Sequence, residues 1–465
     1  MTNSALDTLD WHTITPNTHG DWVNQRDDTF ATWPVLGAKK PEPGQLTVFA
    51  SHSLGVATGR DAWCYSYSQP ALVDQVQSMI TQYDRASTEF TQWSTKNSLP
   101  APKEADVTRF LTENPHLTGD GAMSWNSSVK QQLARSSTIE WSEESVRVGA
   151  YRPFCAQNVY FNKQLNERRY QLPSMFPTLH HDNIGIVLTG AASHFVFTPF
   201  ITDLLPNLHT LDTAQFFPRW TYEKVETADG VLDFSSAVGQ DVDEFGYRRV
   251  DNITDDIAAV FADTLGGPQV SKDDIFYYVY GQLHDPGYRV TYAADLKKML
   301  PHIPPPASRE RFDNVAHAGR QLAELHIDYE NVEPYPLDIQ LNKGASAQDR
   351  ETWRVAKMKW ARIRDEESGK LVNDTTTIIY NPKVTIAGIP AEAEKYLLGS
   401  RSALGWIIDR YQVKTDKASG IVNDPNDWCD EVGDPRYIVD LIAKVTTVAV
   451  ETNRIVASLN SEGSA

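Results

Sequence analysis

From Ile438 to Leu459, apolar residues recur at 3,4 spacing through Leu441, Val445, Val448, Thr452 and Ile455, sustained for three heptads. A stripe of that length commits the C-terminal part to one long helix with a face that must be buried. The covering surface is either a second copy of the chain or its own domain, and packing within its own domain is the expectation. The chain has 465 residues, 41% hydrophobic, with 12 Trp, which is enough for two or three domains or one large domain with lobes. A mean hydropathy of -0.43 and the lack of any long uncharged apolar run exclude a membrane span. The first residues, MTNSALDTLDWHTI, carry neither a basic nor an apolar signal region. Cys64, Cys155 and Cys429 are too few and too scattered for a disulfide framework or a cysteine zinc site. Three buried thiols and a cytoplasmic location are expected.

Upstream, the pattern is mixed. Leu72, Val73, Val76, Met79, Ile80 and Tyr83 mark an amphipathic helix over 69–84. Residues 1–50 read as an irregular lead-in and 95–125 as polar loop. Short β-like runs follow near 145–148, 159–161, 184–188 and 194–197. Ser271 with Asp274 opens a helix over 275–283, and a second helical face runs from Tyr288 to Met299. The run from Ile303 to Pro306 is stiff and extended, suiting a crossover. Phe312 to His326 reads as another helix, and 357–364 with 375–384 as a β-hairpin.

Charge is distributed unevenly. Net charge is -18, yet three segments are cationic. Arg147, Arg152, Lys163, Arg168 and Arg169 fall within 145–171 against one acid. Arg354, Lys357, Lys359, Arg362 and Arg364 fall within 352–364 with none. The stretch from Arg401 to Trp428 carries an apolar helix-like run into a polar loop with Arg410, Gln412, Lys414 and Lys417. Such a loop suits an anion-contacting surface, or it is a solvated loop capping a core helix. Gathered positive charge is what a one-sided groove following phosphates would need. Arg can contact guanine and Gln or Asn adenine in bidentate fashion, while Lys mainly neutralises phosphate.

No P-loop, S-adenosylmethionine-binding glycine motif, (N/D)PP(Y/F) tetrapeptide, GxSxG elbow or HExxH occurs. His180-His181-Asp182 is the most metal-like cluster, but adjacent histidines on an extended segment point to opposite sides. Glu223 and Lys224 hint at a nuclease centre without a spacing that enforces one. The chain reads as non-catalytic, without a metal or cofactor of its own.

Several motifs resemble the C-terminal target-recognition (specificity) region of type ISP single-polypeptide restriction-modification enzymes. They are Pro16-Asn17 through Phe30, Gly59-Arg60-Asp61-Ala62-Trp63 with Tyr65, Tyr151-Arg152-Pro153-Phe154 with Tyr160-Phe161, Ile275 to His284 continuing to Pro304, and Arg401 to Trp428. The resemblance implies an α+β fold: a mixed β-sheet recognition lobe with flanking helices, and a second lobe holding a β-hairpin and the long C-terminal helix. The expected divisions are 1–140, a lead-in and helical segment after an absent methyltransferase; 141–303, the first lobe; and 304–465, the second. The implied role is to read a short double-stranded DNA site and present it to an adenine methyltransferase and an ATP-driven motor-nuclease. Those parts would sit in the same polypeptide or on a separate subunit, and would bind S-adenosylmethionine, ATP and Mg. Candidate DNA contacts are Arg60, Arg152, Lys163, Arg168, Arg169, Lys357, Lys359, Arg362, Arg364, Arg410, Gln412, Lys414 and Lys417. Base-reading residues are expected within 162–171 or 353–364. The alternative is a scaffold that binds no DNA and docks a methyltransferase-motor subunit, as the acidic surface suggests.

Overall fold

The computed structural model describes residues 15–16, 29–191, 193–225, 241–267, 270–366 and 368–460. Most of the lead-in motif from Pro16 to Phe30 lies outside them. The C-terminal stripe forms a single helix, Tyr437–Asn460. It packs on its own chain, against the helices Arg309–Ile327 and Ala403–Arg410. Its first turns bury Ile438, Leu441, Ile442, Val445 and Val448 in one apolar core, and its last turns put Ile455 and Leu459 into another. The helix therefore stitches two cores together. No described helix is long and apolar enough to cross a membrane.

The first core joins Val56, Tyr65, Phe154 and Phe216 to Tyr380, Leu404 and Ile442, so residues far apart in sequence share one interior. The second gathers Phe30, Phe49, Ile186 and Phe217 around the helices Lys272–His284 and Arg309–Ile327. A third is mainly helical. The helix Gln69–Lys96, capped by Ser68 Oγ accepting from Ala71 N at 3.1 Å, packs on Glu104–Glu113 and Ser127–Ala134. It runs past the expected end at 84 because Ala86 and Phe90 extend its buried face to Phe110. The expected loop over 95–125 is thus partly helix. Val107, Phe110 and Leu111 are the apolar anchors of that short helix, and Asp106 accepts from the Lys103 backbone at its start.

Sheets among the described residues are small, of two or four strands. One four-stranded sheet is antiparallel, in the order Ser53–Leu54, Gln215–Pro218, Gly185–Leu188, Pro199–Thr202. Another runs Tyr65–Ser66, Cys155–Tyr160, Val146–Arg152, Leu205–Pro206, with a parallel last pair. The third is Asp338–Leu341, Val384–Ala387, Leu371–Ile379, Lys359–Arg364. Here the hairpin register differs from expectation: Lys359–Arg364 pairs with Leu371–Ile379, turning at 365–370, and Val384 begins the next strand. The strand expected over 194–197 lies later, at Pro199–Thr202, because Ser193 Oγ bonds Asp212 and Phe195 N and holds that stretch in a polar turn. The lead-in also contains a parallel pair, Val35–Gly37 with Thr47–Phe49. The proline run docks beside it, with Ile303 N donating to Pro34 O at 2.9 Å.

The helix at 272–284 is capped by Ser271, whose Oγ accepts from Asp274 N at 3.0 Å. It meets the helix at 309–327 where Gly281 faces Gly319, and a Cβ on Gly319 would lie 1.8 Å from the Tyr277 carbonyl oxygen. Glycine is therefore required here by close backbone approach. The helical face expected from Tyr288 to Met299 is broken into Pro286–Thr291 and Ala293–Lys298, with Tyr292 at the break packed against Phe30 at 5.2 Å.

Candidate nucleic-acid interface

The basic loop grows from a rigid base. Ser402 Oγ caps the helix Ala403–Arg410, Leu404 and Ile407 are buried, and Trp406 Nε1 donates to Leu398 O at 2.8 Å. Tyr411, also buried, lies 5.3 Å from Tyr67 and pins the point where the loop departs. Beyond it, Val413 N donates to Ala356 O at 3.0 Å, Ala418 O accepts from Gly121 N at 2.9 Å, and Asn423 Oδ1 accepts from Tyr67 N at 3.1 Å. A short ladder of Lys414–Thr415 with Val422–Asn423 keeps the two arms together. Three tethers to distant parts of the chain argue against a merely solvated loop.

This anchoring aims the loop at the segment around Asp61 and at the strand carrying Tyr151. Between them is a concavity of about 330 Å³, lined by Asp61, Tyr65, Tyr67, Tyr151, Gln157, Arg410, Gln412, Lys414 and Asn423 among others. Several loop side chains gather on Asp409. Arg410 Nη2 lies 2.8 Å from its carboxylate, while Gln412 Nε2 and Lys414 Nζ donate to its carbonyl at 2.8 and 2.7 Å. Partial desolvation, then the neighbouring Arg410, holds the Lys414 ammonium below its ordinary pKa despite Asp409, and Arg152 adds to the effect. Arg152 lies over the Tyr151 ring at 4.2 Å and donates to Asn207 Oδ1 at 3.2 Å, so its guanidinium is partly engaged within the fold. Lys417 is exposed near the loop tip.

The other candidates fall beside this concavity or beyond it. Backbone bonds of 2.9 Å in both directions between Ala57 and Arg168 place the exposed Arg168 next to the segment leading into Asp61. Lys163 is exposed as well, whereas Arg169 is half-buried over Phe161 at 5.0 Å, which lowers its pKa. Lys357 follows the carbonyl that tethers the loop, and Lys359, Arg362 and Arg364 continue outward along the hairpin, all exposed. Arg362 donates to Leu371 O at 2.8 Å and Arg364 to Gly369 O at 2.6 Å, which stiffens the hairpin. A run of bonded neighbours thus connects the three cationic segments.

Arg60 requires correction. It is 4% exposed, its Nη1 faces Met79 Sδ at 3.5 Å, and burial lowers its pKa, so it cannot reach a duplex directly. Helical packing of Met79 and Cys64 over it draws the side chain inward, while its neighbour Asp61 stays at the surface of the concavity, bonded by Thr58. The sequence reading names Tyr65 and Tyr151 only as family motifs and passes over Gln157 and Asn423, all four of which line the concavity. The readable signal was polarity out of place: Gln157 and Asn158 interrupt a strand whose neighbours are apolar, and both are buried.

The other groups singled out in the sequence have partners within the fold. His181 is held between Thr178 Oγ1 at 2.6 Å and Asp243 Oδ2 at 2.8 Å, and His180 stacks on Phe245 at 4.6 Å. Among the described residues no group of His, Cys, Asp and Glu is placed to hold a metal ion. Glu223 pairs with Arg248 at 2.6 Å across a two-stranded ladder. The three cysteines are free and buried.

An anchored basic loop beside a polar concavity, on an α+β scaffold, is the arrangement of a binding module. The chain belongs to the family described as the type ISP C-terminal specificity domain, which it matches over residues 47–441. Three solved structures share its fold with TM-scores of 0.75 each. They are a nuclease-deletion mutant of the type ISP restriction-modification enzyme LlaGI in complex with a DNA substrate mimic (32% identity over 97% of this chain), the ATP-dependent type ISP enzyme LlaBIII bound to DNA (30% over 96%), and a DrdV–DNA complex (29% over 97%). The chain spans only 31%, 25% and 40% of those three chains, respectively. No curated protein matches it.

Proposed function

We propose that this chain is the DNA-reading part of a type ISP restriction-modification enzyme that acts in the cytoplasm against phage DNA. It binds a short duplex site through the basic loop, the Arg168 segment and the hairpin. Adenine methylation, ATP-driven translocation and cleavage belong to other domains of the polypeptide or to a separate subunit, which would hold S-adenosylmethionine, ATP and Mg. The chain itself performs no bond-making step. The observation that carries this reading is the tethered loop of Arg410, Gln412 and Lys414 facing a concavity, in a family whose solved relatives are bound to DNA.

Selection from a randomised duplex pool tests it. One short sequence should be enriched, and its binding constant should fall steeply with salt. Replacing Lys414 and Lys417 with Ala should flatten the log–log salt slope by about 0.9 for each phosphate no longer neutralised. A pool with no enriched site, or binding indifferent to salt, would exclude a DNA-reading role. The scaffold alternative would then be the surviving one.

A further inference from the structure

We propose that the concavity between the basic loop and the Asp61 segment holds one unstacked nucleotide of a DNA strand. This rests on the DNA-reading role and names the ligand of that same site. Its walls differ in kind. On one side stand the cationic side chains of Arg410 and Lys414. Elsewhere it is lined by the half-buried Tyr151, whose ring is backed by the core residue Tyr65 with centroids 4.9 Å apart. Aromatic faces with nearby cations are the recurring means of holding a base and its phosphate outside a helix.

The polar groups point the same way. Gln157 is 4% exposed; its Oε1 accepts from Asn423 Nδ2 at 3.2 Å, and its Nε2 lies 3.8 Å from Cys155 Sγ with the Tyr67 hydroxyl also beside the amide. The Tyr65 hydroxyl is fully buried, with the Asn207 side chain as its polar neighbour. Arg410 Nε is buried without a partner. Native proteins seldom leave such a group unsatisfied, and Arg410 lines the concavity, so a phosphate that draws its guanidinium outward would complete it. Asp61, with Thr58 donating to its carboxylate, offers an acceptor for a base amino group. At about 330 Å³ the space is at the small end of ligand pockets and far below a duplex, which limits the occupant to a single nucleotide.

The experiment titrates the whole chain with each of the four deoxynucleoside 5′-monophosphates, with the corresponding nucleosides and with inorganic phosphate, by calorimetry. Duplex binding is measured in parallel. At least one monophosphate should saturate, binding roughly ten-fold or more tightly than its nucleoside or phosphate alone. Lys414→Ala and Tyr151→Leu should each weaken it by about ten-fold. Lys414 is exposed, so that variant keeps its fold and decides the matter even if Tyr151→Leu does not. Saturation abolished or shifted in Lys414→Ala supports the inference. Phosphate binding as tightly as every monophosphate, binding unaffected by Lys414→Ala, or no saturation at all overturns it. A chain that binds duplex but no monophosphate refutes the nucleotide site alone, whereas one that binds neither refutes the DNA-reading role as well.

Discussion

Gly319→Ala should loosen the second core without touching the candidate interface. The added Cβ would lie 1.8 Å from Tyr277 O and 2.8 Å from Gly281 N, both backbone atoms of the facing helix. Restoring ordinary contact requires the two helices to separate by roughly 1.5 Å. Overpacking costs about 1–3 kcal/mol where side chains can give way, and a backbone obstacle puts this case at the upper end. Alanine's better helix propensity offsets about 1 kcal/mol of that. The net loss is then about 2 kcal/mol, a fall in Tm of about 2 °C for a chain of 465 residues melting as one unit. Scanning calorimetry reads it directly. Gly119→Ala is the control, because its Cβ meets only Pro115 O at 3.4 Å. If Gly319→Ala melted with the wild type while remaining helical, the close approach of the two helices would be disproved.

Acid should destabilise the same core. His284 and His326 are buried between the helices, and burial holds both below the ordinary imidazole pKa, His284 down to about 3. Their folded-state pKa values lie below the unfolded value of 6.5, so protons favour the unfolded chain as pH falls below that point. Stability is full above it and declines toward pH 3. At pH 5.5 His284 should cost about 1.4 kcal/mol, with His326 adding to the loss in the same direction. Urea midpoints at pH 7.5 and 5.5 measure this, and His284→Gln should lessen the difference; an identical difference would refute it. Burial raises the thiol pKa of Cys64 and Cys429 to about 12 and also raises that of Cys155. All three should therefore resist iodoacetamide in the native chain at pH 8 and react in urea, as mass spectrometry would show. Rapid native labelling of any of them would contradict its burial.

Local periodicity made several elements readable. The C-terminal stripe, the Ser271 cap and the apolar run into the basic loop each depend on neighbours within a turn or two. What escaped depends on partners far along the chain. Gly281 reads as an ordinary helix glycine until Gly319 is placed against it. Arg60 resembles any surface cation until Met79 and Cys64 close over it. Tyr67 and Asn423 are bonded across 356 positions, and no spacing rule reaches that far. The short helix at 104–113 was hidden for a different reason: three apolar anchors among seven other residues give a weak signal.

The tethering of the basic loop has one more consequence. Its footings are bonds at Val413, Ala418 and Asn423, whereas exposed side chains between them, Lys417 above all, project outward. Identity at the projecting positions is thus uncoupled from the cost of folding. A lineage could rewrite those letters and acquire a new target while the chassis beneath stayed intact.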